Sequence, residues 1–370
     1  MEFTVSKADL VRELSLSQGV VEKKTTIPIL SNVLIDAAGG EIRLTATDLE
    51  LGISCSCPAE VTKEGSGTIP ARRLLEYVRL LPDAPIKFKF ADNHWASLLC
   101  GRSRTRLAGM SRESFPALPV MPETLAVAPL NLLSNLINRT IFSISAEESR
   151  FTLNGALLLV KPDRIIMVTT DGHRLALSEE ELDFGEAQPS YRALLPKKAM
   201  AELLKLGQEG DNEAKVEFAG NENHLFFRTG ERLLICRKLT GNFPDYERVL
   251  PSEQPHEVQV ERDELRATID RVAQFSDERS HAIRLKFAPG ELSLHSSLSD
   301  TGETEESIPV VYDGPVVEVG FNAYYIADFL RAVREEKVSF HFHDAGSAGE
   351  LRPAGDNAAV YRYVVMPMRI

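Results

Sequence analysis

Asp171-Gly172-His173-Arg174 sets a carboxylate two residues from an imidazole with a guanidinium beside them, the residue types of a general acid–base pair. An Asp-Gly step is also the ordinary composition of a tight turn, and on that reading His173 and Arg174 simply lead into the next strand. His341-Phe342-His343 puts two imidazoles on one face of an extended segment, yet only Asp344 stands near as a third ligand, so a surface pair fits better than a metal centre. Cys55, Cys57, Cys100 and Cys236 show no metal-type spacing with histidine and read as reduced packing thiols. There is no Walker sequence, no glycine-rich dinucleotide fingerprint, no serine elbow and no HExxH. We therefore expect no catalytic residue, metal or cofactor, while a monomeric three-domain enzyme using Asp171 and His173 stays open as the alternative.

The basic side chains carry a different chemistry. Arg72 and Arg73 follow Pro70, and Lys197 and Lys198 follow Pro196, so two helices begin with paired cations; Lys205 continues the second face. Cations in a first helical turn oppose the helix dipole at a cost of about 0.3–1 kcal/mol each. Their recurrence points to phosphate contact, with a solvated basic face as the plainer reading. Arg102-Ser103-Arg104-Thr105-Arg106 alternates as a strand would, with the cations on one face. Asp300, Glu303, Glu305 and Glu306 form its acidic complement, and two such edge strands would pair across a subunit boundary. A solvent-facing loop accounts for the acidic run equally well.

The elements that would position these groups recur. Leu157 to Val160 and Ile165 to Val168 are apolar runs separated by a Pro162-Asp163 turn, and a second turn follows at Asp171-Gly172. The same outline occurs at Ser31 to Leu51 and more faintly at His281 to Ser297. Each hairpin is preceded by a short strand and a helix and followed by a second helix and further strands, among them Ile86 to Phe90, Val216 to Phe218 and Val338 to Phe342. Proline-bearing linkers are expected at Val120 to Thr124 and Pro251 to Pro255. The period is of domain size, which predicts three α+β copies, 1–122, 125–252 and 256–370, each with two helices packed on antiparallel sheets.

The 370 residues are 43% apolar and 26% charged, the balance of a globular chain. No apolar run reaches membrane-span length and the first residues lack a signal pattern, so a cytoplasmic protein with no membrane partner is expected. The net charge of −12 argues against binding nucleic acid by bulk attraction. Its distribution is uneven: 0 in the first third, −4 in the second and −8 in the last, a gradient that favours the first third of one molecule meeting the last third of another.

PILSN (Pro28 to Asn32), TATDLE (Thr45 to Glu50), LNG (Leu153 to Gly155), TTDGHRLAL (Thr169 to Leu177), GNFPDYERVLP (Gly241 to Pro251), GFNAYY (Gly320 to Tyr325) and YVVMPMRI (Tyr363 to Ile370) together resemble the bacterial DNA polymerase III beta subunits, the sliding clamps, over essentially the whole chain. The resemblance implies a ring-forming head-to-tail homodimer around duplex DNA, without sequence preference, that confers processivity on the replicative polymerase. Its expected partners are the polymerase III alpha subunit, the clamp loader delta subunit, and other polymerases and repair proteins, all through short peptide motifs; its expected place is the cytoplasm, at the nucleoid. Lys24, Arg72, Arg73, Lys197, Lys198 and Lys205 are expected to face DNA. The peptide pocket would comprise Arg150, Leu153, Thr170, Gly172, His173, Arg174, Leu175, Pro244, Val249, Tyr325, Val364, Val365, Met366, Pro367, Met368 and Arg369. Thr105 stands where the family often has a larger apolar residue, so the dimer seam would rest on Arg102, Arg104, Phe275, Glu303 and Glu305. The glycine- and proline-rich Gly346 to Asn357 segment leaves the pocket rim open, and a specialised paralogue of the housekeeping clamp stays open too.

Overall fold

The computed structural model describes residues 1–21, 25–185, 190–208, 214–298, 302–355 and 360–369. Within them one order of elements occurs three times: strand, helix, four strands, helix, three strands. The first copy holds β1 (Glu2–Val5), α1 (Lys7–Val20), β2 (Asn32–Ala38), β3 (Glu41–Thr47), β4 (Leu51–Lys63), β5 (Gly65–Pro70), α2 (Ala71–Leu80), β6 (Ile86–Phe90), β7 (Trp95–Cys100) and β8 (Ser103–Ala108). The second holds β9 (Ala126–Pro129), α3 (Leu130–Thr140), β10 (Gly155–Lys161), β11 (Arg164–Thr170), β12 (Arg174–Glu181), β13 (Tyr191–Pro196), α4 (Lys197–Gln208), β14 (Lys215–Gly220), β15 (His224–Thr229) and β16 (Arg232–Arg237). The third holds β17 (His256–Glu261), α5 (Arg262–Val272), β18 (Ala282–Ala288), β19 (Glu291–Leu298), β20 (Gly302–Pro309), β21 (Val317–Asn322), α6 (Ala323–Ala332), β22 (Lys337–Phe342), β23 (Gly349–Pro353) and β24 (Val360–Val365).

Local chemistry explains where these elements begin. Ser6 caps α1 by accepting from the Asp9 amide, and Asn322 caps α6 by accepting from the amides of Tyr324 and Tyr325. Pro70 and Pro196 end β5 and β13 immediately before α2 and α4, at positions where a missing N–H is harmless. Lys161 pairs with Arg164 and leaves the two-residue Pro162-Asp163 turn between β10 and β11. On α4 the buried stripe is Ala199, Met200, Leu203 and Leu206, while Leu204 is only half-buried. β6 buries Ile86 and Phe88 and exposes Lys87 and Lys89, as a strand with one wet face should.

Among the described residues all strand pairings are antiparallel, in sheets of twelve, eight and four strands. Two compact units gather the elements across the repeat boundaries: Met1–Ser134 with Lys198–Lys238, and Asn135–Lys197 with Leu239–Ile370. In the first unit β4 pairs with β16, Leu51 opposite Cys236. In the second β12 pairs with β24, Arg174 opposite Val365. The same joint is thus made twice, each time between the fourth strand of one copy and the last strand of the next. A buried Glu13, 2% exposed, reinforces the first: it accepts from Arg232 at 2.8 and 2.9 Å and from Arg12 at 2.8 Å. Burial alone pushes this carboxyl up, but the two guanidinium groups outweigh it and hold it below its ordinary value.

Each unit has its own core. In the first, Phe3 stacks on Phe88 at 4.8 Å between the helices and sheet of the first copy. In the second, Phe287, Phe321, Phe329, Phe340 and Phe342 pack with Tyr361 and Tyr363, each fully buried. Such side chains contribute about 1.5–3 kcal/mol apiece on burial.

Candidate functional site

The floor of a cavity of about 100 Å³ in the second unit is the pair Leu175 (β12) and Val364 (β24), which lie directly opposite each other, each 1% exposed. Leu153, from the single helical turn Phe151–Leu153, closes one end. Pro244, Tyr246 and Val249 form a wall, held by the short turn Tyr246–Arg248, and Met366 stands at the rim, 38% exposed. Tyr246 was absent from the sequence-based set. Its signal was its place between Pro244 and Val249 in one motif.

The Asp171 turn forms the remaining wall. Asp171 accepts from the amides of His173 (2.9 Å) and Arg174 (3.1 Å) and from the Arg174 guanidinium at 3.0 Å. Gly172 takes φ +91°, where a side chain would be strained, and an added Cβ would lie 2.9 Å from the Arg150 guanidinium. Arg150 itself donates to the Asp171 carbonyl at 2.8 Å. Arg174 runs inward: it donates to Asp328 and to the Phe142 carbonyl, both at 2.7 Å, and lies over the Tyr325 ring at 4.3 Å. Burial opposes its charge, but Tyr363, Asp328 and Asp171 more than compensate and raise its pKa. Asp171 is thus fully engaged by amides and a guanidinium, and His173 is an exposed neighbour, so the acid–base reading has lost its base. What remains is an apolar hollow with an adaptable thioether at its edge, suited to holding an apolar side chain.

Of the sixteen expected pocket residues, Leu153, Thr170, Gly172, Arg174, Leu175, Pro244, Val249, Val364 and Met366 line this cavity. Arg150 and Tyr325 stand behind it, through Asp171 and Arg174. Val365 does not reach it: strand alternation turns that side chain into the phenylalanine-rich core, 0% exposed. Met368 is tied by its amide to the Gly320 carbonyl at 2.8 Å, with Pro367 half-buried before it and Arg369 exposed after it. In the glycine- and proline-rich rim segment, Gly349–Pro353 is strand, paired with β22 and β24, and residues 356–357 lie outside the described residues. Glu350 there is 0% exposed and accepts from Arg362 at 2.5 and 2.9 Å and from Arg352 at 2.8 Å.

The charged faces divide similarly. Arg72, Arg73 and Lys197 are exposed, Arg72 pairing with Glu76 one turn on at 2.8 Å. Lys198 pairs with Asp48, and Lys205 with Glu202 at 2.6 Å, so both lend charge to carboxylates of the fold. Lys24 and Asp300 lie outside the described residues. On β8, Arg104 and Arg106 point out on the face that Arg102 begins, with Arg106 over the Trp95 ring at 5.0 Å. Glu303 and Glu305 are exposed on β20, whereas Glu306 is drawn into a bidentate pair with Arg271. Phe275 sits against the start of β20, where a Cβ on Gly302 would lie 3.5 Å from its ring. β8 and β20 are both sheet edges. His341 bonds Ser339 at 2.8 Å and His343 bonds Asp344 at 3.2 Å, so the two imidazoles share no ligand; among the described residues no cluster suits a metal ion. No helix among them is long and apolar enough to cross a membrane.

Comparison with known proteins completes the picture. Models described as the N-terminal, central and C-terminal domains of the DNA polymerase III beta subunit match residues 1–119, 128–245 and 247–369. The beta sliding clamp of Pseudomonas putida is 36% identical over 373 residues and that of Escherichia coli K12 31% over 372, each alignment covering 100% of both chains. Among solved structures, a sliding clamp from Pseudomonas aeruginosa bound to griselimycin aligns with TM-score 0.95 at 34% identity, covering 100% of both chains. The Bacillus subtilis clamp aligns with TM-score 0.94 at 27% identity, covering 100% of this chain and 99% of that one.

Proposed function

Since this chain belongs to the DNA polymerase III beta subunit family, it is a sliding clamp, and from that premise we propose how its surfaces divide the work. It is a non-catalytic processivity factor that acts as a homodimer, holds the replicative polymerase on DNA and docks clamp-binding motifs. One observation carries the rest: the fourth strand of the first and second copies pairs with the last strand of the next, at β4:β16 and β12:β24, while β20 and β8, the remaining members of the series, are each left with one open edge. The acidic β20 of one protomer, with Glu303 and Glu305, pairs with the basic β8 of its partner, with Arg102 and Arg104, and Phe275 packs beneath. Made twice in a homodimer, this joint closes a ring. The borders of the three domains lie near 122–125 and 252–256.

Duplex DNA passes through the ring against Arg72, Arg73 and Lys197, with Lys198 and Lys205 contributing what charge their carboxylate partners leave; Lys24 is a further proposed phosphate contact. Contacts of this kind are salt-sensitive and read no bases, which is what sliding needs. The groove over Leu175 and Val364 takes the apolar side chains of client peptides, those of the polymerase III alpha subunit and the loader delta subunit in turn, then other polymerases and repair proteins. The Pseudomonas aeruginosa clamp binds griselimycin, and we propose that this groove takes the same ligand. Work on the chromosome places the protein in the cytoplasm, at the nucleoid.

The test is topological. Loaded on nicked circular DNA, the protein stays bound through salt that screens phosphate contacts, and it leaves once the circle is cut. Loss at the same salt from intact circles would overturn the ring.

A further inference from the structure

The turn that walls the peptide groove is built twice. Thr47-Asp48-Leu49-Glu50-Leu51 between β3 and β4 repeats Thr170-Asp171-Gly172-His173-Arg174 between β11 and β12. In each, the threonine hydroxyl donates to the carbonyl four residues on, at 2.9 and 2.6 Å. In each, the aspartate accepts from the amides two and three residues on. Leu49 even takes the left-handed φ, +79°, that Gly172 takes at +91°. The last strand then closes the turn identically: the Arg237 amide donates to the Glu50 carbonyl at 2.8 Å, and the Met366 amide to the His173 carbonyl at 2.9 Å.

This register identifies the floor of the first junction as Gly52 opposite Ile235, the counterpart of Leu175 opposite Val364. The following segments correspond as well. After Phe243-Pro244, the second and fifth residues past the proline are Tyr246 and Val249, which wall the open cavity. After Phe115-Pro116 the same steps reach Leu118 and Met121, and these pack against Ala219, Phe226 and Ile235. Leu118 lies directly on the floor: a Cβ on Gly52 would come within 2.8 Å of its Cδ2. We propose that the first junction is a second peptide groove, occupied by the chain's own linker with Leu118 as its built-in ligand.

Two differences keep one groove filled and the other open. Gly52 leaves the floor hollow, so Leu118 sinks into it, whereas the Leu175 side chain fills that place and leaves Tyr246 at the side. The residue beside the floor also differs, Phe226 next to Ile235 but Glu350 next to Val364. Phe226 offers the linker an apolar bed. Glu350 instead holds Arg362, whose guanidinium donates to the Pro251 carbonyl at 3.2 Å and fixes the far end of the second linker.

The inference rests on the peptide groove assigned above, and the experiment separates the two. Griselimycin is titrated calorimetrically into the full-length protein. The wild type binds one equivalent per chain, and L118A, which empties the floor, binds two, the second persisting when Met366→Ala weakens the first. Amide exchange gives an independent reading: G52L expels Leu118, so exchange at residues 117–121 rises at least ten-fold while residues 245–249 stay unchanged. A folded L118A that still binds one equivalent, or unchanged exchange in G52L, overturns the self-occupied groove. A wild type that binds no griselimycin, with the exchange response intact, overturns the assignment of the open groove and leaves the plug standing.

Discussion

Glu350 shows how a single enclosed charge shapes the groove. Burial pushes its pKa up, but Arg362 and Arg352 outweigh that and hold it below the ordinary glutamate value. A depressed folded-state pKa makes the network fully stabilising above the unfolded value, near 4.3, and the stabilisation is lost as pH falls through the folded value. Arg362→Met, which strips the main partner from an enclosed carboxylate, should cost about 3 kcal/mol. Glu350→Gln should flatten the acid limb of the stability profile; denaturant unfolding between neutral pH and about pH 3 reads both. An E350Q profile that still falls as steeply as the wild type would refute the role. None of this was legible in the sequence, because Glu350 meets Arg362 only where β23 pairs with β24, and β23 lies inside a segment that reads as glycine- and proline-rich loop. Lys198 and Asp48 are a like case: 150 positions apart, they meet only in the folded unit.

At the scale of elements, far more could be read. The strand at Ile86 to Phe90 and the Pro162-Asp163 turn are local signals, and the structure places them where they were expected. Val365 was misjudged because a run of apolar residues at a chain end does not disclose which alternate side chains face inward. The edge strands offer a test at this scale. Replacing Glu303 and Glu305 by Arg sets like charge against Arg102 and Arg104 and should weaken self-association at least about ten-fold. Adding Arg102→Glu and Arg104→Glu in the same chain restores the complement, and sedimentation equilibrium measures both steps. If the double reversal fails to recover association while both chains remain folded, the β20:β8 assignment is wrong.

For the molecule as a whole, the offset between repeat and compact unit matters most. The repeat ends at the Val120 to Thr124 linker, yet β4 and β16, on either side of that linker, are hydrogen-bonded neighbours, with Glu13 and Arg232 locked beneath them. The courses of the wall overlap, so the peptide bond that ends the first copy bears little of the load. Fragments 1–123 and 124–370, expressed together as separate polypeptides, should therefore recognise each other and copurify, and an Arg232→Ala change in the second should weaken that recovery. The gene could be cut in two there and its product would still assemble.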